Sequence, residues 1–265
     1  MDGARGLIAL ALFSALTLTS ASRSRERDMG FLDRTVRVGD DSYRYQVYVP
    51  AGWSKKKKWP VILFLHGAGE RGDDGLVQTE VGIGTAIRRH AERVPAIVVF
   101  PQCLKGRWWP EPQMQAQALK ALDEAVKEFN GDSDRVYLTG ISMGGYGTWA
   151  IAANNPSKFA ALAPVCGGVR TPPRVAIPQV TPDASTADDP YKVVARKVGA
   201  TPVWVFHGAA DPLVPVTESQ KMVEALKASG GNVRYSEYEG VGHNSWDRAY
   251  AEPEFFPWLL SQKRR

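Results

Sequence analysis

The residues of this chain best suited to chemistry form a short turn around Ser142. Residues 140–144 read Gly-Ile-Ser-Met-Gly, after an apolar run at 136–139 and before a helix-compatible stretch at 144–154. Between a strand and a helix, this G-x-S-x-G pattern makes a sharp, strained turn that presents the serine hydroxyl. We therefore expect Ser142 to be a nucleophile.

An activated serine needs an imidazole that accepts its proton and a carboxylate that orients the imidazole. Asp211 and His243 each follow a later apolar segment, at 203–206 and 233–238. The carboxyl ends of parallel strands gather at one edge of a sheet, so we expect both side chains to lie near the serine. The order serine, acid, histidine is known for such triads. We predict that Ser142, Asp211 and His243 are catalytic.

The other histidines and acids fit different roles. His90 lies among charged residues of a predicted helix surface, and His66 precedes the serine and is expected to anchor a turn. His207 stands only four positions before Asp211, so it is an alternative base that cannot easily turn back toward Ser142. The alternative acids lie in the proline-rich insertion or flank His243 and are expected to be solvated or capping groups: Asp183, Asp188, Asp189, Glu239 and Asp247.

Acyl transfer also needs N–H donors for the negative oxygen of its tetrahedral intermediate. The backbone N–H of Met143, next to the predicted nucleophile, is one candidate. The turn after the apolar run 61–65 reads His-Gly-Ala-Gly and offers the N–H of Ala68 or Gly67 as the second. These are backbone roles, so the side chains at the three positions say little about them.

Four aromatic residues lie in segments predicted to surround this site: Trp108, Trp109, Tyr146 and Trp246. Their flat faces would suit an aromatic acyl group or a sugar ring. Aromatic residues are also common in protein cores, and Trp149, on the predicted helix after the serine, is expected there. We predict the other four as substrate contacts.

Apolar segments that alternate with helical segments predict the elements that position these residues. Two alternating segments, at 35–38 and 43–49, predict an antiparallel start. The later apolar runs are typical of buried parallel strands covered by helices on both faces. We predict an α/β fold with a mostly parallel sheet of about eight strands, in a single domain at residues 34–265. The proline-rich residues 168–199, with one helical piece near 191–198, predict a short lid insertion.

The N-terminus has a different character. Residues 7–18 form an apolar segment too short to span a bilayer, with Arg5 before it and small residues after it at 20–22. We expect a signal peptide at 1–21 and a tether at 22–33. The protein would then be secreted or periplasmic, with no stable membrane anchor after removal of the signal.

The composition of the chain is that of a globular protein. Of its 265 residues 44% are apolar and 23% are charged, and the formal net charge is +5. The one dense basic run, at 55–58, is typical of a solvated loop, so we expect no nucleic-acid partner. The sequence leaves open whether Cys103 and Cys166 pair.

Several motifs together resemble secreted α/β-hydrolases. They are HGAGERG at 66–72, YLTGISMGGYGTW at 137–149, PVCGG at 164–168 and VFHGAAD at 205–211. The resemblance extends from about residue 30 to 260. The branch is called polyhydroxybutyrate-depolymerase-like, feruloyl and acetyl-xylan esterase-like, or phospholipase/carboxylesterase. It implies the α/β-hydrolase fold and a serine hydrolase for carboxylic esters that needs no metal and no cofactor.

Triad chemistry is shared among many acyl groups, so three functions stay open. The first is a secreted esterase for feruloyl or acetyl esters of plant polysaccharide, or for small soluble esters. The second is a serine peptidase or a polyester depolymerase with the same triad. The third is a silent binding module of hydrolase fold, which would be expected to have lost Ser142, Asp211 or His243. A short lid favours an open cleft that admits polymer-borne esters.

Overall fold

The computed structural model describes residues 29–171 and 178–264. The predicted signal peptide at 1–21 and most of the predicted tether at 22–33 lie outside these residues. The strands are β1 (Gly30–Val38), β2 (Asp41–Val49), β3 (Trp59–Leu65), β4 (Ile97–Pro101), β5 (Gly131–Ile141), β6 (Ala161–Val165), β7 (Val203–Gly208) and β8 (Val233–Tyr238). The helices are α1 (Ile83–Arg89), α2 (Pro112–Glu128), α3 (Met143–Asn154), α4 (Pro182–Thr186), α5 (Pro190–Val198), α6 (Thr217–Ala228), α7 (Trp246–Ala251) and α8 (Phe255–Ser261).

The strands form one sheet in the order β1-β2-β4-β3-β5-β6-β7-β8. Strand β2 pairs antiparallel with both β1 and β4, whereas the later neighbours pair in parallel. This confirms the predicted mostly parallel sheet of about eight strands. Because β5, β7 and β8 run in the same direction, their carboxyl ends lie at the same edge of the sheet.

Helices cover both faces of the sheet because its central strands are apolar on both faces. All seven residues of β3 are buried. Leu63 belongs to a core that includes residues of α2 and α3, and its neighbour Ile62 belongs to a second core with α1, α7 and α8. Successive side chains of a strand point to opposite faces, so one apolar strand serves both cores.

The first strand begins earlier than the sequence predicts. Gly30 already pairs with β2, so residues 30–33 belong to the sheet. The predicted tether at 22–33 is therefore wrong over these positions. Strand β1 lies at the edge of the sheet and only its Val36 is buried. Polar residues such as Asp33 interrupt the apolar alternation that marks a strand in the sequence.

In the insertion segment, residues 168–199, residues 172–177 lie outside the described ranges; the described part contains helices α4 and α5, where the sequence predicts one helical piece. Glu218 of α6 binds the start of the segment and helix α5. Its Oε2 accepts the N–H groups of Val169 and Arg170 at 2.9 and 3.0 Å, and its Oε1 accepts the hydroxyl of Tyr191 at 2.6 Å. One carboxylate thus ties the start of the segment to α5. Its function as a lid stays a prediction.

Gly144, in the first turn of α3, is expected to tolerate no side chain. A Cβ atom there would overlap the carbonyl oxygen of Leu65 at the end of β3. This oxygen belongs to the backbone of a central strand and cannot move aside. We expect Gly144→Ala to lower the free energy of unfolding by about 3 kcal/mol or more, as measured by urea unfolding.

Gly69→Ala is the matched control, because a Cβ atom at Gly69 meets no atom within 4 Å. Its free energy of unfolding should stay close to that of the wild type. Equal stability of the two alanine variants would contradict the close approach of α3 to β3.

Candidate active site

Ser142 lies at the turn between β5 and α3. Its backbone has φ 52° and ψ −114°, a strained conformation that persists only where the surroundings hold it. The Ser142 N–H donates to the carbonyl of Val165 at 2.9 Å, and its carbonyl accepts the N–H of Gly145 at 2.8 Å. A Cβ atom at Gly140 would overlap the carbonyl of Gly144. The flanking glycines therefore allow strand and helix to pass closely and leave the serine partly exposed.

His243 bridges Ser142 and Asp211. Its Nε2 lies 2.8 Å from Ser142 Oγ, and its Nδ1 lies 2.7 Å from Asp211 Oδ2. A carboxylate only accepts hydrogen bonds, so Nδ1 carries the proton and Nε2 can accept from the serine hydroxyl. The structure thus brings together the three residues predicted from the ends of β5, β7 and β8. The arrangement can move a proton from Ser142 to His243 while Asp211 holds the ring.

Asp211 is a buried carboxylate surrounded by hydrogen-bond donors. Its side chain has no exposed surface. Burial opposes ionisation, but the donors outweigh burial and hold the pKa of Asp211 well below its usual range. The donors are His207 and His243 to Oδ2, and the backbone N–H groups of Leu213 and Val214 to Oδ1. The carboxylate therefore stays charged at neutral pH.

The turn after β3 is held by His66. His66 Nε2 accepts the N–H of Cys103 at 2.9 Å, and its Nδ1 donates to the carbonyl of Gly67 at 2.6 Å. Trp109 Nε1 donates to the carbonyl of His66 at 3.0 Å. The ring is fully buried, and this burial lowers the pKa of His66 to about 4. A neutral imidazole thus anchors the turn, as predicted.

The predicted N–H donors lie on the two segments that adjoin the serine. A Cβ atom on Gly67 would lie 3.8 Å from Ser142 Cβ, so this turn passes directly beside the serine. Met143 is the first residue of α3, where a backbone N–H has no partner within the helix. The role of Met143 and of Gly67 or Ala68 as oxyanion donors stays a prediction.

Two of the four predicted substrate contacts are buried. Trp109 has no exposed surface and packs edge-on against His66, with ring centroids 5.1 Å apart. Tyr146, on α3, is 1% exposed. The predictions that Trp109 and Tyr146 contact substrate are therefore wrong, because both rings belong to the core beside the serine turn. Sequence position alone did not show toward which side these rings point.

Trp108 and Trp246 keep exposed surface. The guanidinium of Arg71 lies over the Trp108 ring, 4.7 Å from its centroid, and Arg71 Nε donates to the carbonyl of Ala68 at 2.9 Å. Trp246 stands edge-on to His243, with ring centroids 5.6 Å apart. The side chain of Arg71 thus links Trp108 to the turn after β3.

Arg71 and His207 make contacts that the sequence reasoning missed. The sequence predicted no aromatic contact for Arg71, and His207 was considered only as an alternative base for Ser142. In the structure His207 Nε2 lies 3.2 Å from Asp211 Oδ2, and His243 is the ring bonded to Ser142. The four-residue spacing from His207 to Asp211 at the end of β7 was the signal for this contact.

Cys103 and Cys166 are buried and do not pair. The possible ligand atoms of Cys166, Asp211 and His243 lie within 4.8 Å of one another. Burial raises the pKa of the Cys166 thiol to about 12, so the thiol is protonated at neutral pH. A metal ion at this group would have to displace that proton and the Asp211–His243 hydrogen bond. A site without metal stays our prediction.

The family model described as the dienelactone hydrolase family matches residues 96–252, more than half of the chain. The chain belongs to this family. A relative named "Probable feruloyl esterase C", from Aspergillus terreus, is 24% identical over 188 residues. An "Uncharacterized secreted protein" from Arthroderma benhamiae is 28% identical over 212 residues. A solved structure of a thermostable esterase superposes with a TM-score of 0.73 at 34% identity.

This dienelactone hydrolase family member spans less than two thirds of each of these proteins. The matches cover 71% of the chain but 62% of the Aspergillus protein and 22% of the Arthroderma protein. The thermostable esterase match covers 88% of the chain and 63% of the esterase. None of the helices in the described ranges is long and apolar enough to cross a membrane.

The buried His66 is expected to make the stability of the protein depend on pH. Its pKa falls from 6.5 to about 4 on folding, so in this range the unfolded chain binds a proton that the folded protein does not. Above pH 6.5 the ring is neutral in both the folded and the unfolded protein, so it costs no stability. The free energy of unfolding then decreases as the pH falls from 6.5 to about 4. The loss should be about 3 kcal/mol.

The test is urea unfolding of wild type and His66→Gln between neutral pH and pH 4, since glutamine keeps an acceptor for Cys103 but does not titrate. The wild type should lose more stability than the variant over this range. His90→Gln, at an exposed histidine, is the control and should follow the wild type. Parallel curves for wild type and His66→Gln would show that the expectation is wrong.

Proposed function

We propose that this protein is a carboxylic ester hydrolase whose catalytic triad is Ser142, His243 and Asp211. The observation that carries the proposal is the continuous pair of hydrogen bonds from Ser142 Oγ through His243 to Asp211, at 2.8 and 2.7 Å. The backbone strain at Ser142 and membership of a hydrolase family support it. Ser142, His243 and Asp211 would act as the nucleophile, the base and the orienting acid.

In the first half of the reaction, Ser142 Oγ attacks the carbonyl carbon of the ester and its proton moves to His243 Nε2. The charged Asp211 stabilises the imidazolium that forms. The tetrahedral intermediate collapses, the carbon–oxygen bond to the alcohol breaks, and His243 gives its proton to the leaving oxygen. The product alcohol departs and an acyl group remains on Ser142.

In the second half, water attacks the acyl group while His243 Nε2 accepts a proton from the water. Collapse of the second tetrahedral intermediate releases the acid and returns the proton to Ser142 Oγ. In both intermediates the negative oxygen is bound by the N–H of Met143 and that of Ala68 or Gly67. The neutral His66 holds the turn that carries the second donor.

Esters on plant polysaccharide, feruloyl or acetyl, or small soluble esters are the proposed substrates. Trp108 supports this choice, because it is partly exposed and its ring contacts Arg71, which is hydrogen-bonded to the turn that carries the proposed oxyanion donor. The feruloyl esterase among the relatives supports it as well. A serine peptidase or a polyester depolymerase with the same triad is the alternative, and a silent binding module is a weaker one because the three residues are present and bonded.

Export is proposed on the apolar segment 7–18 and the small residues that follow it, and a relative named a secreted protein supports it. After removal of the signal, one catalytic domain would extend from β1 to the C-terminal residues, with the insertion segment as a short lid. The protein would then carry two unpaired thiols, both buried.

Ser142→Ala and His243→Ala are expected to lower kcat for p-nitrophenyl acetate by about 10⁴-fold or more, since each removes a member of the triad. A fluorophosphonate probe should label the wild type and fail to label Ser142→Ala. Ser261→Ala, at an exposed serine of α8, is the matched control and should keep full activity and labelling. Undiminished labelling of Ser142→Ala would refute the assigned nucleophile.

The wild type is expected to hydrolyse p-nitrophenyl acetate, methyl ferulate and acetylated xylan faster than a peptide amide. Side-by-side initial rates on these four substrates measure this preference. Turnover of the amide alone would overturn the esterase proposal in favour of the peptidase.

Trp108→Ala should raise the KM for methyl ferulate by about three- to tenfold, because a stacked aromatic pair contributes up to about 1.5 kcal/mol. The KM for p-nitrophenyl acetate serves as the reference, and Trp108→Phe should restore most of the loss. An unchanged KM for methyl ferulate would remove Trp108 from the substrate contacts.

A further inference from the structure

The carboxylate of Asp211 has a second imidazole partner that the triad does not use. His207, near the end of β7, places its Nε2 3.2 Å from Asp211 Oδ2, the oxygen that also accepts from His243 Nδ1 at 2.7 Å. The His207 side chain has no exposed surface, whereas that of His243 is 16% exposed. One oxygen thus lies between a buried ring and a ring that reaches the site.

The tautomer of His207 follows from its other contacts. Nε2 lies 3.0 Å from the carbonyl oxygen of Val214, and a carbonyl can only accept. Nε2 therefore carries a proton and shares it between Val214 and Asp211. Nδ1 is left to accept the hydroxyl proton of Ser219, on α6, whose Oγ lies 2.7 Å away. The Ser219 hydroxyl makes this ring a better donor at Nε2 because it draws electron density toward Nδ1.

The same hydrogen bonds fix the loop that carries the acid. The Val214 N–H donates to Asp211 Oδ1 at 3.0 Å, and the Val214 carbonyl accepts from His207. The Leu213 N–H also donates to Oδ1, at 2.8 Å. His207 therefore binds both the carboxylate and the backbone that orients it.

We propose that His207, held by Ser219, is a positioning residue that shares the Asp211 carboxylate with His243. This inference rests on the proposed function. The His207 N–H fixes the orientation of the carboxylate, and its hydrogen bond partly neutralises the negative charge on the carboxylate. When the His207 N–H is removed, more of that charge acts on His243 and stabilises its imidazolium. The base then becomes protonated at a higher pH.

The pKa shifts of Cys166, Tyr146 and Glu237, three titratable groups around the pair, lead away from neutral pH. Burial raises the pKa of Cys166, after β6, to about 12, and burial raises the pKa of Tyr146, on α3, above its usual value. On β8, hydrogen bonds from Tyr235 and Gln220 lower the pKa of Glu237. Glu218 of α6 is bonded to the insertion segment. A shift in the activity profile near neutral pH is therefore assigned to the proposed triad.

The test is the pH profile of kcat/KM for p-nitrophenyl acetate in three variants. His207→Leu removes the N–H and should raise the acidic midpoint by about half a pH unit or more, with kcat about tenfold lower and KM unchanged. His207→Gln retains an N–H and should restore both quantities toward the wild type. Ser219→Ala weakens the hold on the ring and should give a smaller shift in the same direction. Circular dichroism and urea unfolding check that each variant folds.

The NMR signals of the histidine ring nitrogens provide a readout independent of activity. In the wild type, His207 should be protonated on Nε2 and accept a hydrogen bond at Nδ1. A profile of folded His207→Leu that coincides with the wild type would overturn the proposal. If His207→Leu does not fold, a Ser219→Ala profile identical to the wild type, or a His207 ring protonated on Nδ1, overturns it.

Failure of the proposed function looks different. A wild type that neither reacts with fluorophosphonate nor hydrolyses esters would refute the triad itself. A wild type that is active and labelled, with a midpoint that no His207 or Ser219 variant moves, would refute only the role of His207.

Discussion

The arrangement of the site depends on the turn at Ser142, where a central strand meets a helix with almost no space between them. A Cβ atom at Gly144 would overlap the backbone at the end of β3. A Cβ atom at Gly145 would overlap the backbone of Gly167, after β6. Any side chain at these two glycines would push the helix away from the sheet. The packing of both neighbouring strands thus holds the serine in a strained conformation and keeps its hydroxyl at the end of the sheet.

A second constraint acts on charge. A buried carboxylate is costly unless donors surround it, and Asp211 is surrounded by two imidazoles and two backbone N–H groups. Its low pKa follows from these contacts and keeps a negative charge beside His243. Burial has the opposite effect on His66: it lowers the pKa of the ring and keeps the ring neutral beside the backbone that it anchors. The protein thus holds one group charged after β7 and one group neutral after β3.

Much of this could be predicted from the sequence, because the signals are local. The glycines around Ser142 and the apolar runs before Asp211 and His243 placed three side chains at three strand ends of the predicted sheet. Their mutual distances, and the sheet order that brings β7 beside β8, came only from the structure.

The sequence predictions that differ from the structure do so for physical reasons. A tryptophan pair in a loop does not reveal which ring turns inward, and the structure buries Trp109 while Trp108 keeps exposed surface. Tyr146 lies on a helix that is buried along almost its whole length, so helical periodicity carried no information about its direction. The edge strand β1 has too few apolar residues to mark its start. The contact of His207 with Asp211 depends on a loop conformation that spacing only suggested.

Glu218 and Ser219 are consecutive residues in the first turn of α6. They connect the insertion segment and His207. Glu218 binds the insertion segment, and Ser219 binds the ring of His207. An evolutionary exchange of the insertion segment alone would break its attachment to this turn. A change in the insertion segment that displaced this turn would therefore also act on the ring beside Asp211.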